Sequence, residues 1–231
     1  MIKMTEQKKF YISPSLLAAD YSDLGASVRR IEEAGADFLH LDIMDGHFVP
    51  NISFGPDLAA ALRPHSKLIF DLHLMISDPA KYLDRFIGAG ADVITFHREA
   101  VEDPLPLIYR IKDANVHASM AISPDTPVEA VYPYLSKLDM VLVMTVYPGF
   151  GGQKLIPETL EKVTLLRRRI EELGLDTDIE VDGGISAGNT AAVTSAGANV
   201  VVAGSAIFGS PRPRQVMLAM RAAAKDAPFV G

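Results

Sequence analysis

Four side chains able to act as acids, bases or metal ligands lie at the ends of three predicted strands. Side chains alternate along a strand, so His40 and Asp42 share one face of the predicted strand Phe38–Asp42. His73 ends another strand with the same parity, and Asp182 lies at the tip of a third. Apolar residues occupy the opposite faces, where helices should pack. The four polar groups are therefore predicted to point into one interior.

An ionised carboxylate is costly to bury unless it is paired or bound to a metal. Two imidazoles and two carboxylates form a mixed nitrogen and oxygen donor set, which suits Zn²⁺, Fe²⁺, Mn²⁺ or Co²⁺ and suits Ca²⁺ poorly. The alternative is a set of core polar groups that hydrogen-bond one another without a ligand. Convergence of four such groups favours a site, because each added interior charge must be offset.

Other inward-facing residues have two possible interpretations. His97 ends the fourth strand and is interpreted as a supporting or structural residue, while Asp71 and Glu180 lie deeper and are predicted to be buried hydrogen-bond partners. Methionines also fall on inward positions at strand ends; they are Met44, Met75 and Met144. They either fill gaps in the core or form a water-poor collar around a developing anion.

Glycine-rich segments follow the sixth, seventh and eighth predicted strands. They are Pro148–Gln153, Asp182–Ser186 and Ala203–Phe208. Loops at these places in a TIM barrel commonly bind phosphate through backbone N–H groups and a short helix. Paired glycines are also ordinary turn residues, but three consecutive segments favour the phosphate interpretation. An acidic chain can bind such an anion through local N–H dipoles. The sequence therefore predicts a small phosphorylated substrate.

The elements that must position these residues form eight βα repeats. A helix end reading Ala-Gly-Ala-Asp or a close variant recurs before apolar strands, at Ala34–Asp37, Ala89–Asp92 and Ala196–Asn199. The predicted strands are Tyr11–Ser15, Phe38–Asp42, Leu68–His73, Val93–His97, His117–Ile122, Met140–Thr145, Ile179–Asp182 and Val200–Gly204, and helices include Tyr21–Ala34 and Glu158–Leu173. This regularity predicts an α/β fold, a single TIM (β/α)8 barrel over residues 1–231. The first strand is not followed by the G-x-G-x-x-G of a dinucleotide-binding fold.

Composition excludes several classes of protein. The chain has 231 residues, with 22 Lys and Arg against 29 Asp and Glu, and no Cys, so disulfides and thiolate nucleophiles are excluded. The net charge of -7 argues against a nucleic-acid partner. No apolar run reaches membrane-spanning length, and Met1–Tyr11 lacks the apolar region of a signal peptide. We therefore expect no membrane partner and a cytoplasmic location.

Long segments of the chain resemble the ribulose-phosphate 3-epimerase family, TIM-barrel enzymes of the pentose phosphate pathway. The resemblance covers nearly the whole chain and is carried by Ile12–Ser15, Leu39–Asn51, Asp71–Met75, Met144–Gln153, Glu180–Gly184 and Gly204–Ile207. It implies epimerisation at C3 of a phosphorylated ketose, most simply D-ribulose 5-phosphate to D-xylulose 5-phosphate. Two bases would transfer the proton through a metal-stabilised enediolate. We also expect a homo-oligomer.

The resemblance also implies roles for individual residues. His40, Asp42, His73 and Asp182 would bind one divalent metal ion (Zn, Fe, Mn or Co), and Asp42 and Asp182 would be the catalytic acid and base. Ser15 would touch the substrate. The other substrate-binding residues would be Met44, His73, Met75, Met144, Gly149, Phe150, Gly151, Gly152, Gly183, Gly184, Gly204 and Ser205.

Departures from the family pattern leave the length of the sugar open. Tyr147, Arg98 and Ser123 stand where the family usually has other residues, and none of them is a predicted ligand. The first alternative is therefore a 3-epimerase of a six-carbon ketose phosphate such as D-allulose 6-phosphate. A lyase or decarboxylase barrel would need an interior lysine at a strand tip, and no predicted strand supplies one. A non-catalytic sugar-phosphate-binding barrel would have no use for paired carboxylates.

Overall fold

The computed structural model describes residues 10–225, in which eight parallel strands alternate with helices. The strands are β1 Tyr11–Pro14, β2 Phe38–Met44, β3 Ile69–Met75, β4 Val93–His97, β5 His117–Ile122, β6 Met140–Met144, β7 Asp178–Asp182 and β8 Val200–Ala203. The α-helices are α1 Leu24–Ala34, α2 Pro56–Leu62, α3 Pro79–Gly88, α4 Leu105–Asp113, α5 Thr159–Glu172, α6 Thr190–Ser195, α7 Ser205–Phe208 and α8 Pro213–Lys225. Shorter 3₁₀ segments are Leu16–Ala18, Arg63–His65 and Arg98–Ala100, and a longer one, Val128–Lys137, follows β5.

The parts of the predicted domain at residues 1–9 and 226–231 lie outside the described residues, as does most of the predicted N-terminal segment Met1–Tyr11. Within the described range, no helix combines the length and the apolar character needed to cross a membrane.

The strands form a nearly closed barrel. Their order around the sheet is β1, β8, β7, β6, β5, β4, β3 and β2, with every pair parallel. The circle closes between β1 and β2, where Ser15 and His40 form a parallel bridge and the Asp37 N–H donates to the Ile12 carbonyl at 3.1 Å. The predicted TIM (β/α)8 barrel is therefore confirmed.

The two faces of the strands have opposite character. Outward side chains such as Leu41 and Leu72 are fully buried in the main apolar core between strands and helices. The lowest interior layer is also apolar; it contains Phe38, Val93, Met140 and Val200. Above that layer much of the interior is polar, and its fully buried polar residues are Ser13, His40, Asp71, His73, Thr95, His97, Ser119 and Glu180. The alternation inferred from the sequence is thus what directs polar groups into the barrel.

Element boundaries differ from the predicted ones by at most three residues. Helix α1 begins at Leu24, because the Asp23 carboxylate accepts the N–H of Ala26 and caps the helix there. The predicted start at Tyr21 is wrong, and Tyr21 lies exposed in a turn. Strands β2 and β3 pair along seven consecutive residues, which extends both to their terminal methionines.

The predicted helix-to-strand joints are confirmed. Gly35, Gly90 and Gly197 have φ of 99°, 89° and 117°, the left-handed region that glycine adopts without strain. Their surroundings differ. An added Cβ at Gly35 would meet nothing within 4 Å, whereas one at Gly197 would lie 2.6 Å from Cβ of Arg167. Arg167 is buried and donates to the carbonyl of Gly197 and to Asn199, so it has little freedom to move away.

We predict that Gly197→Ala destabilises the fold more than Gly35→Ala. Both variants carry backbone strain of about 1 kcal/mol, and the crowding against Arg167 adds about 2 kcal/mol at Gly197. Urea unfolding at 25 °C measures the difference, with Gly35→Ala as the matched control for strain alone. Equal losses in the two variants would contradict the packing explanation.

Candidate active site

The four predicted donor residues converge at the upper end of the barrel. His73 Nδ1 lies 3.0 Å from Asp42 Oδ1 and 3.3 Å from His40 Nε2, and His40 Nε2 lies 3.3 Å from Asp42 Oδ1. Asp182 Oδ2 lies 3.9 Å from His40 Nε2 and 3.8 Å from His73 Nδ1. Strands β2, β3 and β7 therefore deliver one donor cluster, as the sequence analysis expected.

The spacing of these atoms matches a small divalent ion. Four donors about 2.1 Å from a tetrahedral centre lie roughly 3.4 Å from one another. The measured separations of 3.0 to 3.9 Å bracket that value. All four donor atoms lie within 4.8 Å of one another. Neutral imidazole nitrogens and carboxylate oxygens are ligands of Zn²⁺, Fe²⁺, Mn²⁺ and Co²⁺, so the set fits such an ion.

Neighbouring side chains fix the orientation of the donors. The Ser15 hydroxyl donates to Asp42 Oδ2 at 2.6 Å, which leaves Oδ1 towards the cluster. His40 Nδ1 lies 2.6 Å from Asp71 Oδ2, which leaves Nε2 towards the cluster. The Thr95 hydroxyl donates to the second Asp71 oxygen at 3.3 Å. The predicted role of Asp71 as a buried hydrogen-bond partner is confirmed.

The two catalytic candidates have opposite electrostatic environments. Burial opposes ionisation of Asp42, but the charge and hydrogen bond of His40 hold its pKa well below the usual range. Burial, together with the charge of Asp42, raises the pKa of Asp182. Burial alone would lower the pKa of His40, but the carboxylates of Asp71 and Asp42 raise it well above its usual value. Asp42 is therefore the more acidic of the two carboxyl groups, and Asp182 is the less acidic.

Glu180 differs from its predicted role. Among the described residues, neither of its carboxyl oxygens has a hydrogen-bond partner, and His40 Nδ1 lies 3.7 Å from Oε1. Its interpretation as a hydrogen-bonded group is wrong, because Asp71 already occupies that nitrogen of His40. Burial and the charge of Asp71 raise the pKa of Glu180 well above its usual value.

A cleft of about 300 Å³ opens directly above the cluster, with Asp42 and Asp182 at its floor. It is large enough for a small metabolite. Of the predicted substrate-binding residues, all but His73 line it: Ser15, Met44, Met75, Met144, Gly149, Phe150, Gly151, Gly152, Gly183, Gly184, Gly204 and Ser205. His40 and His73 are fully buried beneath this floor. Within the described chain, no Lys, Arg or His side chain lines the cleft.

The loop after β7 has its glycine carbonyls engaged by hydrogen bonds within the protein. The Gly183 carbonyl accepts from the Thr145 hydroxyl at 2.6 Å, and the Gly184 carbonyl accepts from the Asn189 amide at 2.8 Å. Glycine is also required at 184 for packing, because an added Cβ would lie 2.2 Å from the Leu155 nitrogen. Packing therefore explains why residue 184 is a glycine, in addition to any role in binding.

The loop after β6 forms the exposed wall of the cleft and is held by side-chain amides. Gln153 donates to the carbonyls of Tyr147 and Phe150 at 2.7 and 2.9 Å, and Asn51 donates to the Gly149 carbonyl at 2.8 Å. Sequence reasoning did not identify Gln153 as a residue that shapes this wall. Its position directly after the paired glycines was the available signal.

Two of the residues that depart from the family pattern, Tyr147 and Arg98, make side-chain contacts, whereas the contact of Ser123 is made by its backbone. The Tyr147 hydroxyl donates to Asp125 at 2.8 Å and joins the loops after β5 and β6. Arg98 donates to the Val101 carbonyl at 2.7 Å. The backbone N–H of Ser123 donates to Glu99 at 2.8 Å. Of these residues, Tyr147 lines the cleft.

His97 supports His73 from behind, as its interpretation as a supporting residue expected. The two Nε2 atoms are 2.9 Å apart, and Glu99 Oε2 lies 3.1 Å from the other ring nitrogen of His97. Burial lowers the pKa of His97 to about 4, although the hydrogen bond to Glu99 opposes that shift. Glu99 was missed in the sequence analysis, where the signal was a carboxylate two residues beyond an inward histidine.

Comparison with known proteins gives consistent results. A model of the Ribulose-phosphate 3 epimerase family matches residues 11–208. Ribulose-phosphate 3-epimerase of Synechocystis sp. is 43% identical over 225 residues, which cover 96% of this chain and 97% of that protein. The cytoplasmic isoform of the same enzyme from Oryza sativa subsp. japonica is 45% identical and covers 91% of this chain and 92% of its own.

A solved structure shows the same fold at lower sequence identity. 3-Hexulose-6-phosphate synthase from Salmonella typhimurium superimposes with a TM-score of 0.68 at 20% identity, over 94% of this chain and 100% of that one. At this identity the likeness supports the barrel architecture and nothing about the substrate.

Proposed function

The chain belongs to the ribulose-phosphate 3-epimerase family, and we propose that it interconverts D-ribulose 5-phosphate and D-xylulose 5-phosphate by inverting C3. One observation carries this proposal. The carboxylates of Asp42 and Asp182 reach the floor of one cleft from β2 and β7. A substrate bound between them would have one carboxyl group on each face of its reacting carbon.

The chemistry requires two carboxyl groups in different protonation states. The proton on C3 of a 2-ketose phosphate is acidic because it is next to the carbonyl. One ionised carboxylate removes this proton from one face, and a protonated carboxyl group returns a proton to the other face. The lowered pKa of Asp42 and the raised pKa of Asp182 supply this pair. Because the two groups interact, they titrate together, and their roles exchange when the reaction runs backwards.

A single divalent ion fits among His40, Asp42, His73 and Asp182 and is the proposed cofactor. When bound, it supplies Lewis-acid stabilisation of negative charge on the oxygens at C2 and C3. The donor set is compatible with Zn²⁺, Fe²⁺, Mn²⁺ and Co²⁺. Ser15 and Asp71 hold Asp42 and His40 in the orientation that such an ion requires.

We assign phosphate binding to backbone N–H groups of the loops after β6, β7 and β8. The absence of basic side chains among the described cleft-lining residues supports this assignment, as do the engaged carbonyls of Gly183 and Gly184. Gly204 precedes α7, whose first N–H groups have no acceptor within the helix. Backbone dipoles bind an anion without net positive charge on the protein.

The proposed role of Met44, Met75 and Met144 is to keep water from the reacting carbon. All three are almost fully buried and line the cleft above the carboxylates. Their thioether side chains offer only weak hydrogen-bond acceptors, so they surround the developing anion with an apolar wall. Such exclusion of water protects the intermediate from stray proton transfer.

The six-carbon ketose phosphate remains the second candidate substrate, because its reacting carbons are the same. Turnover of D-ribulose 5-phosphate against D-allulose 6-phosphate separates the two proposals. We also propose that residues 1–231 form one domain and that the protein is a homo-oligomer. We further propose that it is cytoplasmic and has no nucleic-acid partner. The rice relative's description as a cytoplasmic isoform supports the proposed location.

We predict that Asp42→Asn and Asp182→Asn each lower epimerisation by about 10²- to 10⁴-fold, because each removes a titratable proton. The variants should differ in exchange of the C3 proton with deuterated solvent. Each should retain exchange from the one epimer whose base is intact. Metal content is measured in both as the control. Metal-loaded variants that exchange both epimers at equal rates would contradict the two-base assignment.

Removal of the metal should abolish activity. Treatment with a chelator followed by dialysis is expected to inactivate the enzyme, and Zn²⁺, Mn²⁺, Fe²⁺ or Co²⁺ should restore turnover. Ca²⁺ is the control, because it prefers six to eight oxygen ligands and should restore little. Full activity in protein that elemental analysis finds free of metal would refute the proposed cofactor.

Substitution of Gly204 should weaken substrate binding and spare the metal. An added Cβ there would lie 3.2 Å from Ala18 Cβ and 3.7 Å from Ser15 Cβ, so Gly204→Val crowds the proposed phosphate pocket. We expect KM to rise at least about tenfold, which corresponds to roughly 1.4 kcal/mol of binding. Gly55→Val is the control, because nothing lies within 4 Å of its added Cβ. An unchanged KM in Gly204→Val would rule out this phosphate site.

A further inference from the structure

A second histidine lies behind His73, on the side away from the donor cluster. His97 is fully buried, and its ring is inclined by 26° to that of His73, with centroids 5.0 Å apart. The Nε2 atoms of the two rings are 2.9 Å apart. A hydrogen bond between two imidazole nitrogens requires one to donate and the other to accept. The position of the proton on His97 therefore decides which nitrogen of His73 is protonated.

Glu99 determines the position of the proton on His97. Its Oε2 lies 3.1 Å from His97 Nδ1, and an ionised carboxylate can only accept. Burial opposes ionisation of Glu99, but hydrogen bonds from His97, Thr126 and Ser123 lower its pKa to about 2. His97 consequently carries its proton on Nδ1 and presents an unprotonated Nε2 to His73.

His73 must then donate from Nε2, which leaves its Nδ1 unprotonated. Nδ1 is the atom that faces Asp42 at 3.0 Å and His40 at 3.3 Å, within the donor cluster. We propose that Glu99 is a positioning residue that, through His97, holds His73 in the tautomer whose Nδ1 is free to bind the divalent ion. This inference rests on the metal site of the proposed function, and it adds two residues outside the donor set.

Glu99 is itself held by the loop after β5. Its Oε1 accepts from the Ser123 N–H at 2.8 Å and from the Thr126 hydroxyl. The ammonium group of Lys162 in α5 donates to the carbonyls of this loop, at 3.2 Å to Ser123, at 2.7 Å to Thr126, and also to Pro124. Both oxygens of Glu99 are therefore engaged, one by the loop and one by His97.

Because one oxygen of Glu99 accepts from the loop and the other faces His97, glutamine is an informative substitute for Glu99. A glutamine has a single accepting oxygen, and the two donors of the loop compete for it. Its NH₂ group would then face His97 Nδ1 and force the proton of His97 onto Nε2. His73 would then accept at Nε2 and carry its own proton on Nδ1, the atom that faces the donor cluster, so Nδ1 could not bind the ion. If Glu99 only anchored the loop, Glu99→Gln would not change the affinity for the metal ion.

The first test compares Glu99→Gln with Glu102→Gln in the full chain. Glu102 is exposed and lies three residues further along, so it controls for the loss of one negative charge. Zinc affinity is measured by competition with a chelator, and thermal melting checks that each variant is folded. We expect Glu99→Gln to bind zinc about 10- to 100-fold more weakly, and Glu102→Gln to stay within about twofold of the wild type.

The second test reads the tautomer directly. Long-range ¹H–¹⁵N spectra of protein labelled with ¹⁵N-histidine report which ring nitrogen is protonated, and His97→Gln assigns the signal. Wild-type His97 is expected to be protonated on Nδ1 with or without zinc, and the proton should move to Nε2 in Glu99→Gln.

Two outcomes would overturn the proposal. One is a wild-type His97 protonated on Nε2, which is observable even if Glu99→Gln does not fold. The other is a folded Glu99→Gln that keeps the zinc affinity of the wild type. Failure of zinc to bind the wild-type protein would instead count against the proposed metal site, because the tautomer of His97 is measured in metal-free protein as well.

Discussion

Inside the barrel, four ionisable side chains lie close together: His40, Asp42, His73 and Asp182. The residues around them offset the cost of burying their charges. The four donor atoms lie within 4.8 Å of one another, in an interior where burial penalises every charge. Ser15 and Asp71 each offset part of this penalty with a hydrogen bond of 2.6 Å. The raised pKa of Asp182 reflects the same penalty, because burial and the charge of Asp42 both oppose its ionisation. The proposed cation would balance what remains.

The strand pattern made much of this predictable. Alternation along β2 and β3 separates residues that pack on helices from residues that enter the barrel, so parity shows that His40, Asp42 and His73 point into the interior. The repeated helix ends before β2, β4 and β8 also allowed the recurring βα unit to be recognised from the sequence. Parallel strands bring their carboxyl ends to one edge, which is why residues as distant in sequence as His40 and Asp182 meet.

Contacts made by loops were not predictable in the same way. Glu99 has no strand parity to identify it, and its partners in the loop after β5 depend on where Lys162 of α5 reaches. Glu180 has the inward parity of a partner, yet it lacks one because Asp71 reaches the same nitrogen of His40 first. Periodicity fixes direction, but it does not show which of two acceptors lies closer to the nitrogen, at 2.6 Å for Asp71 and 3.7 Å for Glu180.

The closure of the barrel has a consequence for how the protein folds. The bridge between Ser15 and His40 joins the first strand to the second, beside the Ser15 contact to Asp42, while β1 also pairs with the last strand. The donor cluster is therefore complete only when β1 and β8 have both taken their places in the barrel. A partly folded chain lacking either strand would bind the ion poorly, so an ion that binds the complete barrel draws the folding equilibrium towards it. Because this closure joins residues far apart in sequence, we expect it to form slowly.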